Sequence, residues 1–117
     1  MLAYESLPEF DKDLAKLSNS FPSLTSDLET FKVNAIELFH VKKTDNHSVF
    51  QIPGLKIETK VYKGKKFACK SIPGKGVMSG IRVIYAFIEP DKVVFTEIYY
   101  KGKKSMPDEQ RIKDNFK

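Results

Sequence analysis

The chain has a single cysteine, Cys69, so no internal disulfide can form and nothing points to an oxidising compartment. Long apolar runs are missing too, and none reaches the roughly 20 residues that a membrane-crossing helix requires. The opening residues, Met1 to Glu9, have neither the basic patch nor the apolar stretch of a secretory signal, which points to the cytoplasm. Histidine is scarce: His40 and His47, with one cysteine, give no metal-ligand spacing. No Ser-His-Asp or Cys-His arrangement stands out for nucleophilic catalysis. Gly74, Lys75 and Gly76 with Gly80 resemble a phosphate loop, but the spacing is wrong and a strand follows where a helix is needed. Neither a metal nor a nucleotide cofactor is expected.

What is present suits one modest core. The 117 residues fit a single domain over 1–117, and at 41% hydrophobic they are too apolar for a disordered chain. The net charge of +5 is unevenly spread. Residues 1–40 carry −4, and residues 41–117 carry +9. A split of this kind marks a surface for a polyanion, although lysine-rich solubilising surfaces are also common.

Periodicity predicts an α+β domain. Ser6 to Glu9 has the pattern of a capping box, and Phe10, Leu14 and Leu17 then form the stripe of a short helix. After a turn at 18–23, Leu24, Leu28, Phe31, Ala35, Leu38 and Phe39 keep helical spacing, which predicts a helical hairpin. Residues 40–56 read as loop. Phe67, Cys69 and Ser71 alternate with Lys66, Ala68 and Lys70, as in a half-buried strand. Ile81 to Ile88 and Val93 to Tyr100 form a strand hairpin around Pro90-Asp91. The tail, with Ser105 as its cap and Ile112 and Phe116 on one edge, returns to helix. The expected architecture is a helical hairpin packed on a twisted antiparallel sheet of about four strands, with a short C-terminal helix.

Two features carry chemistry. From 56 to 75 there are seven lysines and one acid, Glu58, with Tyr62 and Phe67 among them. Cations mixed with aromatics suit single-stranded RNA, while the same lysines also suit a solvated, aggregation-resistant edge. Arg82 lies within the most apolar strand and is the only arginine besides Arg111. A hairpin symmetric about Pro90-Asp91 sets Arg82 opposite Tyr99 and Ile84 opposite Glu97, so Arg82, Glu97 and Tyr99 share a face. Arg82 then serves either as a bidentate phosphate ligand or as the partner of Glu97 in an ion pair. Lys101, Lys103 and Lys104 follow the last strand after a bend at Gly102.

With these residues in order, the chain resembles the RelE/ParE superfamily of bacterial toxins. The likeness runs from about Leu7 to the end: the stripe Phe10, Leu14, Leu17, a second helix, Lys66-Phe67-Ala68-Cys69-Lys70, and Gly80-Ile81-Arg82-Val83-Ile84-Tyr85. It closes with Val93-Val94-Phe95, Ile98-Tyr99-Tyr100 and the basic stretch from Lys101. The resemblance implies the toxin of a type II toxin–antitoxin pair. RelE-like members cut mRNA in the ribosome without a metal, with the substrate's own 2′-hydroxyl as nucleophile, and so block translation. ParE-like members inhibit DNA gyrase without nuclease activity, and an inactive relative bound to its antitoxin is a further alternative. The partners implied are the ribosome and mRNA, and an antitoxin whose acidic amphipathic segment covers the basic surface in an oligomeric complex; no membrane is involved. Arg82, Lys70, Lys101, Lys103 and Tyr99 are the candidate catalytic residues. Lys63, Lys65, Lys66, Lys75, Lys104 and Arg111 are the candidate RNA-binding set. The tail from Ser105 to Lys117 departs from the nuclease pattern, having no Tyr or His for proton transfer.

Overall fold

Strand β4 (Ile81–Ile88) is the axis of the molecule. Its branched and aromatic side chains suit a strand covered on both faces, and β3 (Lys60–Gly64) and β5 (Lys92–Tyr100) flank it in antiparallel pairing. In the computed structural model, which describes residues 1–117, β2 (Val49–Gln51) extends the sheet beyond β3. β1 (Ala3–Ser6) lies parallel to β5, which gives the order β1-β5-β4-β3-β2. The class is α+β as expected, but with five strands. β1 and β2 are edges of four and three residues, too short to show alternation.

The N-terminal helices cover one face. α1 (Pro8–Ser18) starts directly after β1, so Ser6 belongs to the strand and caps nothing. Its hydroxyl donates to Asp11 Oδ1 at 2.7 Å instead. α2 (Leu24–Phe31) continues through a π-helical segment (Lys32–Glu37) into α3 (Leu38–His40). The wider turn shifts the buried stripe to Ala35, Ile36 and His40 and leaves Leu38 and Phe39 half-buried. Phe10, Leu24, Leu28 and Phe31 pack there on Tyr62, Ile81, Val83, Tyr85, Phe95 and Ile98 of the sheet. Gly64 is needed at this contact, because a Cβ there would stand 2.3 Å from Phe31 Cζ.

The opposite face is half covered. α4 (Glu109–Asn115) seats Ile112 among Leu55, Val61, Ile84, Ala86, Val94 and Tyr99. Its cap is Asp108, whose carboxylate accepts from the Arg111 amide at 3.1 Å, and not Ser105. A β-bulge allows β5 to serve both faces. Ile84 pairs with Glu97 while Tyr85 pairs with Phe95, so Thr96 is the extra residue. The bulge reverses the alternation, keeping Phe95 and Ile98 under the helices and turning Glu97 and Tyr99 toward the Arg82 side.

The expected strand at 66–71 does not form. Phe67 and Cys69 are buried as the alternation predicts, but Phe67 makes only an isolated bridge with Met78. The amides of Lys70 and Ser71 donate to Asp27 Oδ2 and Ser23 Oγ, at 3.1 and 2.9 Å, so side chains at the start of α2 replace a strand partner. No helix is long and apolar enough to cross a membrane.

Candidate polyanion-binding cleft

Arg82 opens onto a cleft of about 340 Å³ at the end of the sheet left uncovered by α4. Arg82 stands opposite Tyr99 and Ile84 opposite Glu97 as expected, but only through the bulge: from Tyr85 to Ile88 the pairing is centred on Pro90 and lies one residue off the symmetric register. The alternative Arg82–Glu97 ion pair does not form, because Glu97 is held elsewhere. Its carboxylate takes a salt bridge from Lys104 and accepts from the Asp108 amide at 2.8 Å. The guanidinium donates only to backbone carbonyls, from Nη1 to Lys65 at 3.1 Å and to Ile81 at 3.4 Å. Neutral acceptors leave its charge uncompensated, with Nε and Nη2 free to bind an anion.

Four segments bring the lining together. The Lys65 amide donates to the Ser48 carbonyl at 2.8 Å, which docks the 65–66 segment on the residue preceding β2. Lys65 Nζ then lies 4.9 Å above the Phe50 ring. Lys66 Nζ donates to the Asn46 carbonyl at 3.4 Å. At the end of β5 the Lys101 amide donates to the Gly80 carbonyl at 2.8 Å, so Lys101 stands beside Gly80 on the rim. Gly80 has a φ of +89°, which a side chain would strain. Lys65, Lys66, Arg82 and Lys101 line the cleft with no carboxylate among its residues. Phe50, Val77 and Met78 give it an exposed apolar edge.

Other predicted residues lie around this centre or apart from it. Lys63 pairs with Ile84 and so points to the Arg82 face. Burial, and then repulsion from Lys65 and Arg82, pull its ammonium below the ordinary lysine range. Lys103, Lys104 and Tyr99 border an adjacent groove of about 420 Å³ with Lys16 and Tyr100. Tyr99 is only 6% exposed, and burial followed by the Glu97 charge raises its pKa, which disfavours the phenolate that a general base would need. Lys70 and Lys75 line neither hollow; the first lies by α2 and the second in the 72–78 loop. Arg111 is structural: its Nη1 donates to Asp13 at 2.6 Å and to the Thr96 carbonyl at 3.0 Å, tying α4 to α1 and the bulge.

No protein-family model, curated protein or solved structure matches this chain.

Two lining residues escape sequence reasoning. Phe50 and His47 sit in a stretch without periodicity, and only the pairing of β2 with β3 brings them to the lysines. The one available signal is local: a histidine two residues before the short apolar pair Val49-Phe50.

Proposed function

We propose that this chain binds RNA in the Arg82 cleft and acts as a RelE-like toxin, a ribosome-dependent mRNA endoribonuclease that blocks translation in the cytoplasm. The single observation that carries the reading is a cleft with four cations and no carboxylate, where Arg82 is unpaired and Phe50 is exposed beside it. Lysines attract the phosphate backbone, and an exposed ring offers a base a stacking surface. A lining without carboxylates offers a divalent cation no anionic ligand, which fits cleavage by the RNA's own 2′-hydroxyl. Arg82 would then stabilise the charge that builds on the phosphoryl oxygens as that hydroxyl attacks. An acidic amphipathic antitoxin segment fits the same surface, with carboxylates toward the lysines and apolar residues toward Val77 and Met78.

The exposed Val77 and Met78 favour a second reading, a non-catalytic ParE-like inhibitor that binds a protein such as gyrase. One experiment separates the two. Purified protein is added to a translation extract and the mRNA ends are mapped, with a gyrase supercoiling assay in parallel. Cleavage within codons that falls at least about 100-fold in Arg82→Ala supports the first reading, in line with removal of one oxyanion ligand. Intact mRNA with blocked supercoiling supports the second.

A further inference from the structure

The two histidines have opposite surroundings. His40 is buried, stacked on Phe87 at 4.2 Å between ring centroids, and its Nε2 is joined to the Tyr85 hydroxyl at 2.8 Å. His47 is exposed and lines the same cleft as Arg82, Lys65, Lys66 and Lys101. Its only hydrogen bond is made by its backbone amide, to Asp45 Oδ1 at 2.8 Å, so both imidazole nitrogens are open to a ligand.

The backbone around His47 is held on both sides. Asn46 accepts from Lys66 and donates to the Asn34 carbonyl at 3.3 Å, and the Ser48 carbonyl accepts from the Lys65 amide. Between them His47 has a φ of 63°, a left-handed conformation that non-glycine residues seldom adopt. A free imidazole on an anchored backbone, lining the same cleft as an uncompensated arginine, is placed to act on what that arginine binds.

We infer that His47 is the general base of the cleft and takes the proton from the attacking 2′-hydroxyl of a bound RNA. This rests on the ribonuclease reading above, and it supplies the proton acceptor that the C-terminal tail lacks. Histidine is the side chain best suited to exchange a proton near neutral pH. In the step, the 2′-hydroxyl proton passes to the imidazole, a bond forms from O2′ to phosphorus, and the bond from phosphorus to O5′ breaks. The departing O5′ takes a proton from water, and the imidazolium returns its own to water. The products are a 2′,3′-cyclic phosphate and a 5′-hydroxyl end. Arg82 carries the phosphoryl charge throughout.

The test uses the full chain with purified ribosomes programmed with a defined mRNA. His47→Asn keeps a residue tolerant of the left-handed backbone. It should retain the wild-type melting temperature and bind RNA within threefold of wild type, while cleavage falls at least about 100-fold. His47→Gly should lose cleavage likewise and regain at least tenfold of it when imidazole is added. Cleavage by His47→Asn within threefold of wild type, with Arg82→Ala inactive, overturns the role of His47 and leaves the ribonuclease reading standing. Loss without rescue by imidazole also overturns it, because a merely positioning residue gives that result. A wild-type chain that leaves mRNA intact overturns both.

Discussion

The sheet's two faces use the same strands to different ends. Toward α1 and α2, sixteen buried residues form one continuous cluster, and rings such as Phe10 and Phe95 stack at 5.1 Å. Toward α4 the buried cluster has seven residues, and beyond it the face gives way to the cationic cleft. The first face spends its strands on packing, so every side chain there has neighbours to lose. The second is packed only as far as Ile112 reaches, and Arg82 lies where the apolar cover stops. Stability and binding are therefore separable in this molecule, residue by residue.

That separation can be broken by substitution. Phe10→Ala should cost about 3–5 kcal/mol, through lost burial and the cavity left beside Phe95, read by urea denaturation. Arg82→Ala, which removes no buried ion pair, should stay within about 1 kcal/mol of wild type while losing RNA cleavage. Comparable destabilisation by the two would end the distinction between the faces.

The buried histidine sharpens the comparison on the packed side. Burial, and then the charge of Lys43, lower the pKa of His40 from 6.5 to about 4. Its other charged neighbours are Asp45, Lys60 and Glu89, which border the same hollow. Because the folded pKa lies below the unfolded one, the unfolded chain binds the extra proton between these values. Stability is then full above about pH 6.5 and declines as pH falls toward 4. Between pH 7 and 5 the wild type should lose about 2 kcal/mol more than His40→Gln, measured by denaturant midpoints at each pH. Equal losses in both proteins would mean that the histidine is solvated.

Glu97 tests the border between the faces. It is buried, yet it lies on the Arg82 side, joined to Lys104 and to the Asp108 amide. Glu97→Gln keeps an acceptor for that amide and loses the ion pair, so a cost of about 1 kcal/mol is expected in thermal unfolding. RNA affinity should rise slightly, because Lys104 is released toward the adjacent groove. A fall in affinity would show that the carboxylate organises the basic surface.

Much of the packed face was legible in the amino-acid sequence. Helical spacing at Phe10, Leu24, Leu28 and Phe31, and the apolar run of β4, announce their own elements. The hairpin was readable as well, but its register was not: pairing beside the turn is centred on Pro90, and only the Thr96 bulge restores the expected company of Arg82, Glu97 and Tyr99. The cleft was legible only in part. Lys65, Lys66 and Lys101 follow from charge, but Lys70, Lys75 and Arg111 share that charge and lie elsewhere. Local composition does not encode which lysines converge, because convergence depends on long-range hydrogen bonds such as Lys65 to Ser48. The bulge at Thr96, the edge strands and the Asp27 contacts that replace a strand at 66–71 are likewise tertiary outcomes.

The parallel edge strand has a consequence for how the chain reaches this shape. Ala3 pairs with Lys92 and Ser6 with Phe95, so β1 finds its only neighbour 89 residues further along the chain. Until β5 emerges from the ribosome, β1 is unpaired, and a loop of most of the chain must then close. Refolding should accordingly be slower than for a helical protein of this length, with the N-terminal strand among the last parts to gain protection from hydrogen exchange.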